Sequence, residues 1–447
     1  MTTRVALRRD AGRIGPESGP WIRQRQIAKI WGPPDPASLA QLVDHRDVVL
    51  GWGLLAPDAD IPLRVVHWGA APPLEGWFER RLAAALAARA ELGLAADPGT
   101  TAYREVNSEG DGLPGLVVDR YGDDRVVQLG TPAVAARRAA ILELLRSRTP
   151  GRVFVIADEA APEDPAATLE FQEHGLWFSC PAPPAQKTGA YLDQRDNRRL
   201  AAQLAVRAAG PMLDLGCHVG GFVVHAAAAG VTAIGLDQSA RALEFARRNA
   251  ARNDLTSRTA FVQADMFGAL DHPDLAGPFG VIVFDPPRIA TGSQGRERAV
   301  GAMARSLGRL LPRLRPGGFL LACSCSHHVG RSDLDAALLA AGARDLARVH
   351  ALGPGPDHPV WPGHAEGEYL RVNVYQRRDV LTVRACLHGH ALAGMPDGAC
   401  LWGHASPRQR MTSRGARSPD PALGYLSLTT CPSGHVPAVT DPRRAPA

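Results

Sequence analysis

Apolar positions along this chain switch between a period of two, which half-buried strands give, and the three-to-four spacing of helices lying on a sheet. The switching is most regular beyond Pro211. Met212-Leu213 lead into Asp214, then Gly216, Gly220 and Gly221, then the Ala-rich run FVVHAAAAG ending at Gly230. This predicts a buried strand, a tight glycine turn and a packed helix. VTAIGLD predicts a second strand ending at Asp237, and SARALEFARRNAARNDL a helix. TAFVQADMF predicts a third strand ending at Asp265, and PFGVIVFDPPRI a fourth running into Asp285-Pro286-Pro287-Arg288. The paired prolines block helix continuation. A helix in AMARSLGRLLPRL, a turn at Arg315–Gly318, the strand FLLACSCS with Cys323 and Cys325 at its end, a helix in DLDAALLAAG and the strand EYLRVNVYQ follow. This alternation predicts an α/β fold with a doubly wound, mainly parallel, Rossmann-like sheet, whose ligands sit at the carboxyl ends of its strands.

The upstream pattern differs. RVALRRD, DVVLGWGLL and IPLRVVHW are short strand-like runs broken by PPDP and APDAD, so residues 1–70 read as a small β-rich domain. A helix is expected over Gly76–Leu94, a sharp loop at EGDGLPG, hairpins in LVVDRY…VVQLGT and LEFQEHGLWFSC, an amphipathic helix in AVAARRAAILELLRSR and a strand in VFVIAD. Residues 71–180 thus form a linking α/β module, and 181–378 a third domain. The stretch Pro181–Leu200 starts as a loop and becomes a helix, and it crowds the donors Gln194, Arg195 and Asn197 together. Residues 379–447 have no convincing periodicity and are expected to be disordered. The counter-reading there is a zinc site from Cys386, His390, Cys400 and His404, two of three C-x-x-G-H repeats, the third being Cys431 with His435.

Composition adds limits. The chain has 447 residues, 45% of them hydrophobic, and a net charge of +5, which permits a polyanionic partner without requiring one. Arg4, Arg8, Arg9, Arg13, Arg23 and Arg25 crowd the N-terminus, as a solvated face or as RNA contacts. The seven cysteines suggest no disulfide framework, and neither a signal peptide nor a membrane-crossing run is recognisable, so a cytoplasmic location is expected.

The glycine turn narrows the ligand. An acidic residue ending the second strand, Asp237, is placed to accept ribose hydroxyls. A dinucleotide fingerprint would put glycine where Asp214 stands, and a carboxylate there would repel a pyrophosphate. It suits the ammonium group of S-adenosylmethionine. Asp265 could meet the adenine amino group. The expected cofactor-binding set is therefore Gln194, Arg195, Asp214, Gly216, Gly220, Asp237, Asp265 and Asp285. No metal is assigned among these.

GPWI at 19–22, NSEGDGLPGLVVDRYGD at 107–123, EHG at 173–175, KTGAYLDQRDNR at 187–198, DPPR at 285–288, SCS at 324–326 and DHPV at 357–360 carry a resemblance. With the glycine loop they resemble class I S-adenosylmethionine-dependent 23S ribosomal RNA methyltransferases of the cytosine-5 type with an N-terminal PUA-like domain. The resemblance implies a PUA-like fold for the first domain, ribosomal RNA as partner, before or during subunit assembly, and Cys325 as nucleophile. It leaves the oligomeric state open, a homodimer included. A thiolate adds readily to C6 of cytosine and leaves readily afterwards. Asp285 would then bond the N3–N4 edge of the base, and Cys323, two residues back on the same face, would lie deeper in the core. The chain departs from the family at His327-His328, where small or apolar residues are usual, and in lacking a His before Pro20-Trp21. The alternatives are an RNA amino-group methyltransferase, against which Arg288 and Cys325 count, and a catalytically silent RNA-binding or ribosome-assembly protein.

Overall fold

The computed structural model describes residues 2–156, 167–182, 189–268, 270–287 and 295–378. The expectations for the tail, for its Cys and His repeats and for Arg288 lie outside these residues.

The N-terminal segment forms a six-stranded sheet in the order Trp21–Ile22, Leu63–Trp68, Val49–Leu55, Leu39–Val43, Arg4–Leu7, Ile27–Trp31. Sequence periodicity anticipates three of these. Trp21–Ile22 is only two residues long, and Ile27–Trp31 is an edge strand with mostly exposed side chains, so neither alternates legibly. Trp21 fastens this sheet to the rest. Its indole N–H donates to Glu109 at 2.7 Å, its ring lies against the guanidinium groups of Arg23 and Arg64, and His364 meets it edge-on at 4.6 Å.

The linking region is a four-stranded sheet, ordered Val153–Ile156, Asp124–Leu129, Leu116–Tyr121, Ala102–Asn107, with the helix Trp77–Glu91 packing Phe78 and Leu82 against it. The amphipathic helix expected after it is interrupted, as Pro132–Ala135 and Arg138–Arg146. Arg137 sits at the break and donates to the carbonyls of Pro36 and Ala37 of the N-terminal segment.

The third region is a seven-stranded sheet ordered Thr259–Gln263, Ala233–Asp237, Met212–Leu215, Phe279–Phe284, Leu314–Ser324, Arg371–Arg377, Leu346–Leu352. The first five run parallel, and Arg371–Arg377 is antiparallel to both of its neighbours. Strand order reverses between Met212–Leu215 and Phe279–Phe284, the topological switch point where such sheets hold ligands. The turn expected at Arg315–Gly318 lies inside a strand instead. Pairing jumps from Phe279↔Leu314 to Val281↔Phe319, so those residues bulge out of the ladder. The third strand ends at Gln263 rather than at Asp265.

The hairpin Thr168–Glu173/Leu176–Pro181 packs Phe171 and Phe178 against Val219 and Val224 beside the glycine turn. At this junction Glu173 forms a buried two-bond ion pair with Arg198, and His225 stacks on Phe178. The Gly221 carbonyl, 2.9 Å from Nδ1 of His225, can only accept, so Nδ1 carries the hydrogen. Burial pushes the His225 pKa down from 6.5 to about 4, Glu173 opposing. Burial alone would raise Glu173, but the Arg198 guanidinium overrides it and holds the carboxyl at about 2. Both folded pKa values lie below their unfolded ones, so both groups lose stability as pH falls. The His225 contribution goes between pH 6.5 and about 4. The Glu173 contribution goes from pH 4.5 downward. His225→Phe is expected to keep the stacking on Phe178 and remove the first loss. Urea midpoints between pH 7.5 and 4.5 should fall by roughly 3 kcal/mol equivalent in wild type and markedly less in the variant. Parallel curves would show that His225 does not titrate this way.

Candidate active site

Met212–Leu215 is buried throughout, and Asp214 is completely buried. Neither of its carboxylate oxygens has a hydrogen-bond partner among the described residues. Burial pushes its pKa far above the usual carboxylate value, Asp285 and Asp237 add to this, and Arg198 opposes them. A buried acceptor without a donor is costly, and a ligand cation would satisfy it.

The turn after the strand is shaped for close approach. Gly216 has φ +85°, and a Cβ there would stand 2.6 Å from the Asp285 carbonyl oxygen and 2.7 Å from Met266 Cε. Gly220 has φ +83°, and the helix Gly221–Ala228 starts directly after it. Between them His218 also takes a left-handed conformation, φ +49°, and its backbone N–H donates to Asp237 Oδ2 at 2.9 Å. The Ser239 N–H holds the other oxygen of Asp237 at 2.9 Å. Asp237, the last residue of its strand, is thus a fixed, half-buried carboxylate beside the glycine turn. Asp265 lies two residues past its strand, is exposed, and accepts the Phe267 N–H.

On the other side of the switch point, Asp285 directly follows Phe284 and Cys325 directly follows Ser324, at the ends of adjacent parallel strands paired through Phe284↔Ala322. Cys323 is fully buried in the apolar cluster on one sheet face, and burial pushes its thiol pKa well up, Asp285 adding to it. Cys325 is half-buried.

Tyr191 spans these groups. Burial raises its phenol to about 12, with Asp285 and then Cys325 adding to the effect. Its ring meets His218 edge-on at 4.9 Å, and like His218 it has a positive φ, 46°. Tyr191, Gln194, Arg198, Gly216, His218 and Asp285 line one cleft. Strained backbone at two non-glycine residues facing each other across a cleft is a mark of functional sites. No sequence pattern announces a left-handed tyrosine or histidine.

The donors of Pro181–Leu200 divide. Gln194 Nε2 donates to Asp285 Oδ2 at 2.9 Å. Arg195, expected to hold cofactor, is buried in a two-bond pair with Asp357, both bonds 3.0 Å. That pair holds its guanidinium, and Arg195 is not among the residues that line the cleft. Arg198, unassigned from sequence, crosses the glycine turn on its way to Glu173 and would stop any Cβ at Gly221. Among the described residues, no three His, Cys, Asp or Glu side chains gather to hold a metal ion. None of the described helices is long and apolar enough to cross a membrane.

The S-adenosylmethionine-dependent methyltransferase family matches residues 125–367, and a PUA-like domain matches residues 17–68. A "Ribosomal RNA large subunit methyltransferase" from Deinococcus radiodurans is 36% identical over 378 residues, covering 79% of this chain and 92% of that protein. The chain belongs to this family of S-adenosylmethionine-dependent large-subunit ribosomal RNA methyltransferases. A "Ribosomal RNA large subunit methyltransferase I" from Shewanella denitrificans is 32% identical over 83% of this methyltransferase and 98% of its own length. An S-adenosylmethionine-dependent methyltransferase from Streptococcus mutans shares the fold, with TM-score 0.68 at 18% identity over 84% of this chain and 100% of that one. Another methyltransferase, solved with S-adenosylhomocysteine, gives TM-score 0.69 at 18% identity over 83% of this chain and 99% of that one.

S-adenosylmethionine is the cofactor of this methyltransferase, and the residues present fit it. The partnerless buried carboxylate of Asp214 suits the ammonium group, the glycine turn admits a ligand to the backbone, and Asp237 suits the ribose. Asp237→Ala is expected to raise the S-adenosylmethionine Kd roughly ten- to hundredfold, since it removes a charge-assisted hydrogen bond of about 1.5–3 kcal/mol. Calorimetry checks this, and an unchanged Kd would remove Asp237 from the cofactor site.

Proposed function

We propose that this methyltransferase methylates C5 of a cytosine in large-subunit ribosomal RNA through an adduct between Cys325 and C6. Cytosine C5 is a poor nucleophile until something adds at C6, and a thiolate is both a good nucleophile and a good leaving group. The Cys325 thiolate adds to C6, Asp285 stabilises the charge that reaches N3, and C5 takes the methyl group; the C5 proton then passes to solvent as the C6–S bond breaks and the cysteine leaves as thiolate. The cofactor supplies a methyl group on a cationic sulfur. The observation that supports this reading most is that Asp285 and Cys325 each stand one residue past the carboxyl end of neighbouring parallel strands, which are paired through Phe284↔Ala322. The substrate is read as an unstacked base, with residues 1–70 as the RNA-holding domain, 71–180 as the linking domain and 181–378 as the catalytic one. Tyr191 gives an aromatic face beside the cleft that a flipped base could use. The test is mass spectrometry of ribosomal RNA from a deletion strain and its complement. One 5-methylcytidine should vanish and return. Loss of a methylated amino group instead would favour the alternative chemistry.

A further inference from the structure

Asp285 does not stand alone. Asn197 Nδ2 donates to the Gly353 carbonyl at 3.1 Å and to Gln194 Oε1 at 2.7 Å, and Gln194 Nε2 donates to Asp285 Oδ2 at 2.9 Å. Amide oxygen and nitrogen look alike, so the direction of such a chain must be settled by chemistry. Here the Gly353 carbonyl settles it, because a carbonyl can only accept. Asn197 therefore turns its NH₂ toward Gly353 and Gln194. Gln194 must meet it with its oxygen, and its NH₂ must face Asp285. Oδ2 of Asp285 is consequently an acceptor, and any proton on this carboxyl rides on Oδ1. Gln194 is 2% exposed and Asn197 4%, so water does not compete for these bonds.

The geometry points to Gln194 and Asn197 as positioning residues, a relay anchored on the Gly353 carbonyl that fixes which oxygen of Asp285 carries and delivers the proton. This rests on the reading of Asp285 as the group facing the pyrimidine. As the Cys325 sulfur bonds to C6, the C5=C6 π pair moves to C4–C5. The C4=N3 pair comes to rest on N3, and N3 takes the proton from Oδ1, leaving Asp285 as carboxylate. Elimination returns the proton along the same path. The relay also favours cytosine, whose N3 can accept that proton, over uracil, whose N3 already carries hydrogen. The titratable groups around Asp285 include Asp214 on the neighbouring strand, Asp237 at the end of the strand after that, Tyr191 before the helix that begins at Arg195, and Cys323 and Cys325 at the end of the strand beyond.

Gln194→Glu tests this with little change of shape. Its Oε1 still accepts from Asn197, while its second oxygen meets Asp285 Oδ2, and two carboxyl oxygens that close share a proton. The proton then sits between the carboxyls, away from Oδ1. The expected result is a kcat at least about tenfold lower and a pH–rate limb shifted upward by about a unit, with the S-adenosylmethionine Kd within about twofold of wild type. Asn197→Ala, which frees Gln194 to flip, should lower kcat and displace the same limb. Weaker cofactor binding with an unmoved pH profile would make Gln194 a cofactor residue and overturn the proposal. So would lower urea midpoints alone, which a merely structural role gives. Asp285→Ala separates the layers. If it still methylates, the reading of Asp285 fails. If it is inactive while both relay variants keep the wild-type profile, the relay alone fails.

Discussion

Cys325→Ala protein is expected to bind S-adenosylmethionine as wild type does and to form no 5-methylcytidine. The loss of kcat should be at least roughly a thousandfold, because no other group takes over addition at C6 once the nucleophile is gone. The residues proposed for the cofactor, Asp214, Gly216 and Asp237 on the opposite side of the switch point, belong to other strands and turns, so the deletion of one sulfur leaves them in place. Cys323→Ala is the control. Its thiol is fully buried beside Gln194, and burial pushes its pKa well up, so it is not the thiolate that a nucleophile needs. That variant should lose some stability and keep its activity. Single-turnover methylation of ribosomal RNA fragments, with calorimetric titration of the cofactor, separates the two cysteines.

Asp214→Asn is expected to act in opposite directions on stability and on cofactor affinity. In the cofactor-free protein the Asp214 carboxyl is completely buried, and its raised pKa means that the native state holds its proton more tightly than the unfolded chain does. Such a group costs the native state increasingly as pH rises from the ordinary carboxylate value through the raised one. The amide removes that cost, so the cofactor-free variant should melt higher than wild type, most clearly on the alkaline side. With Asp214 as the proposed counter-charge for the ammonium group, worth about 2–3 kcal/mol, the same change should raise the Kd for S-adenosylmethionine roughly thirty- to hundredfold. Wild type must also shed the Asp214 proton to form that pair. Its affinity should therefore rise with pH, while that of the variant stays flat. A variant that binds as tightly as wild type, or that melts lower at every pH, would show that Asp214 is structural.

What the sequence conveys well is local. The strand–glycine–helix unit, Asp237 at the end of the next strand, and Asp285 and Cys325 after theirs follow from periodicity and turn chemistry within a few residues, and the structure has them at one end of one sheet. What it conveys poorly depends on distance or on unusual backbone. Gln194 and Arg195 are legible as donors crowded in a short stretch, but their targets are not, since Arg195 meets Asp357 across 162 positions of sequence and Gln194 meets Asp285 across 91. Asp357 belongs to the segment DHPV, and its backbone and side chain are also clasped by Arg89 and Arg104 of the linking region. No period of two or of 3.6 encodes such a strut. Tyr191 and His218 are invisible for another reason, because their left-handed backbone defies the residue preferences that sequence reading relies on. The strand Leu346–Leu352 was missed because it is an edge, half-open on both faces, and so does not alternate.

The most direct measurement uses RNA that carries 5-fluorocytidine in place of cytidine. Fluorine at C5 cannot leave as a proton does, so the release of the cysteine stalls after methyl transfer and the enzyme stays bonded to its substrate. Wild type with S-adenosylmethionine should give a denaturation-resistant protein–RNA complex whose peptide map places the RNA on Cys325, and Cys325→Ala should give none. A complex that persists in Cys325→Ala, or methylation of C5 by that variant, would contradict the assignment of Cys325 as the nucleophile.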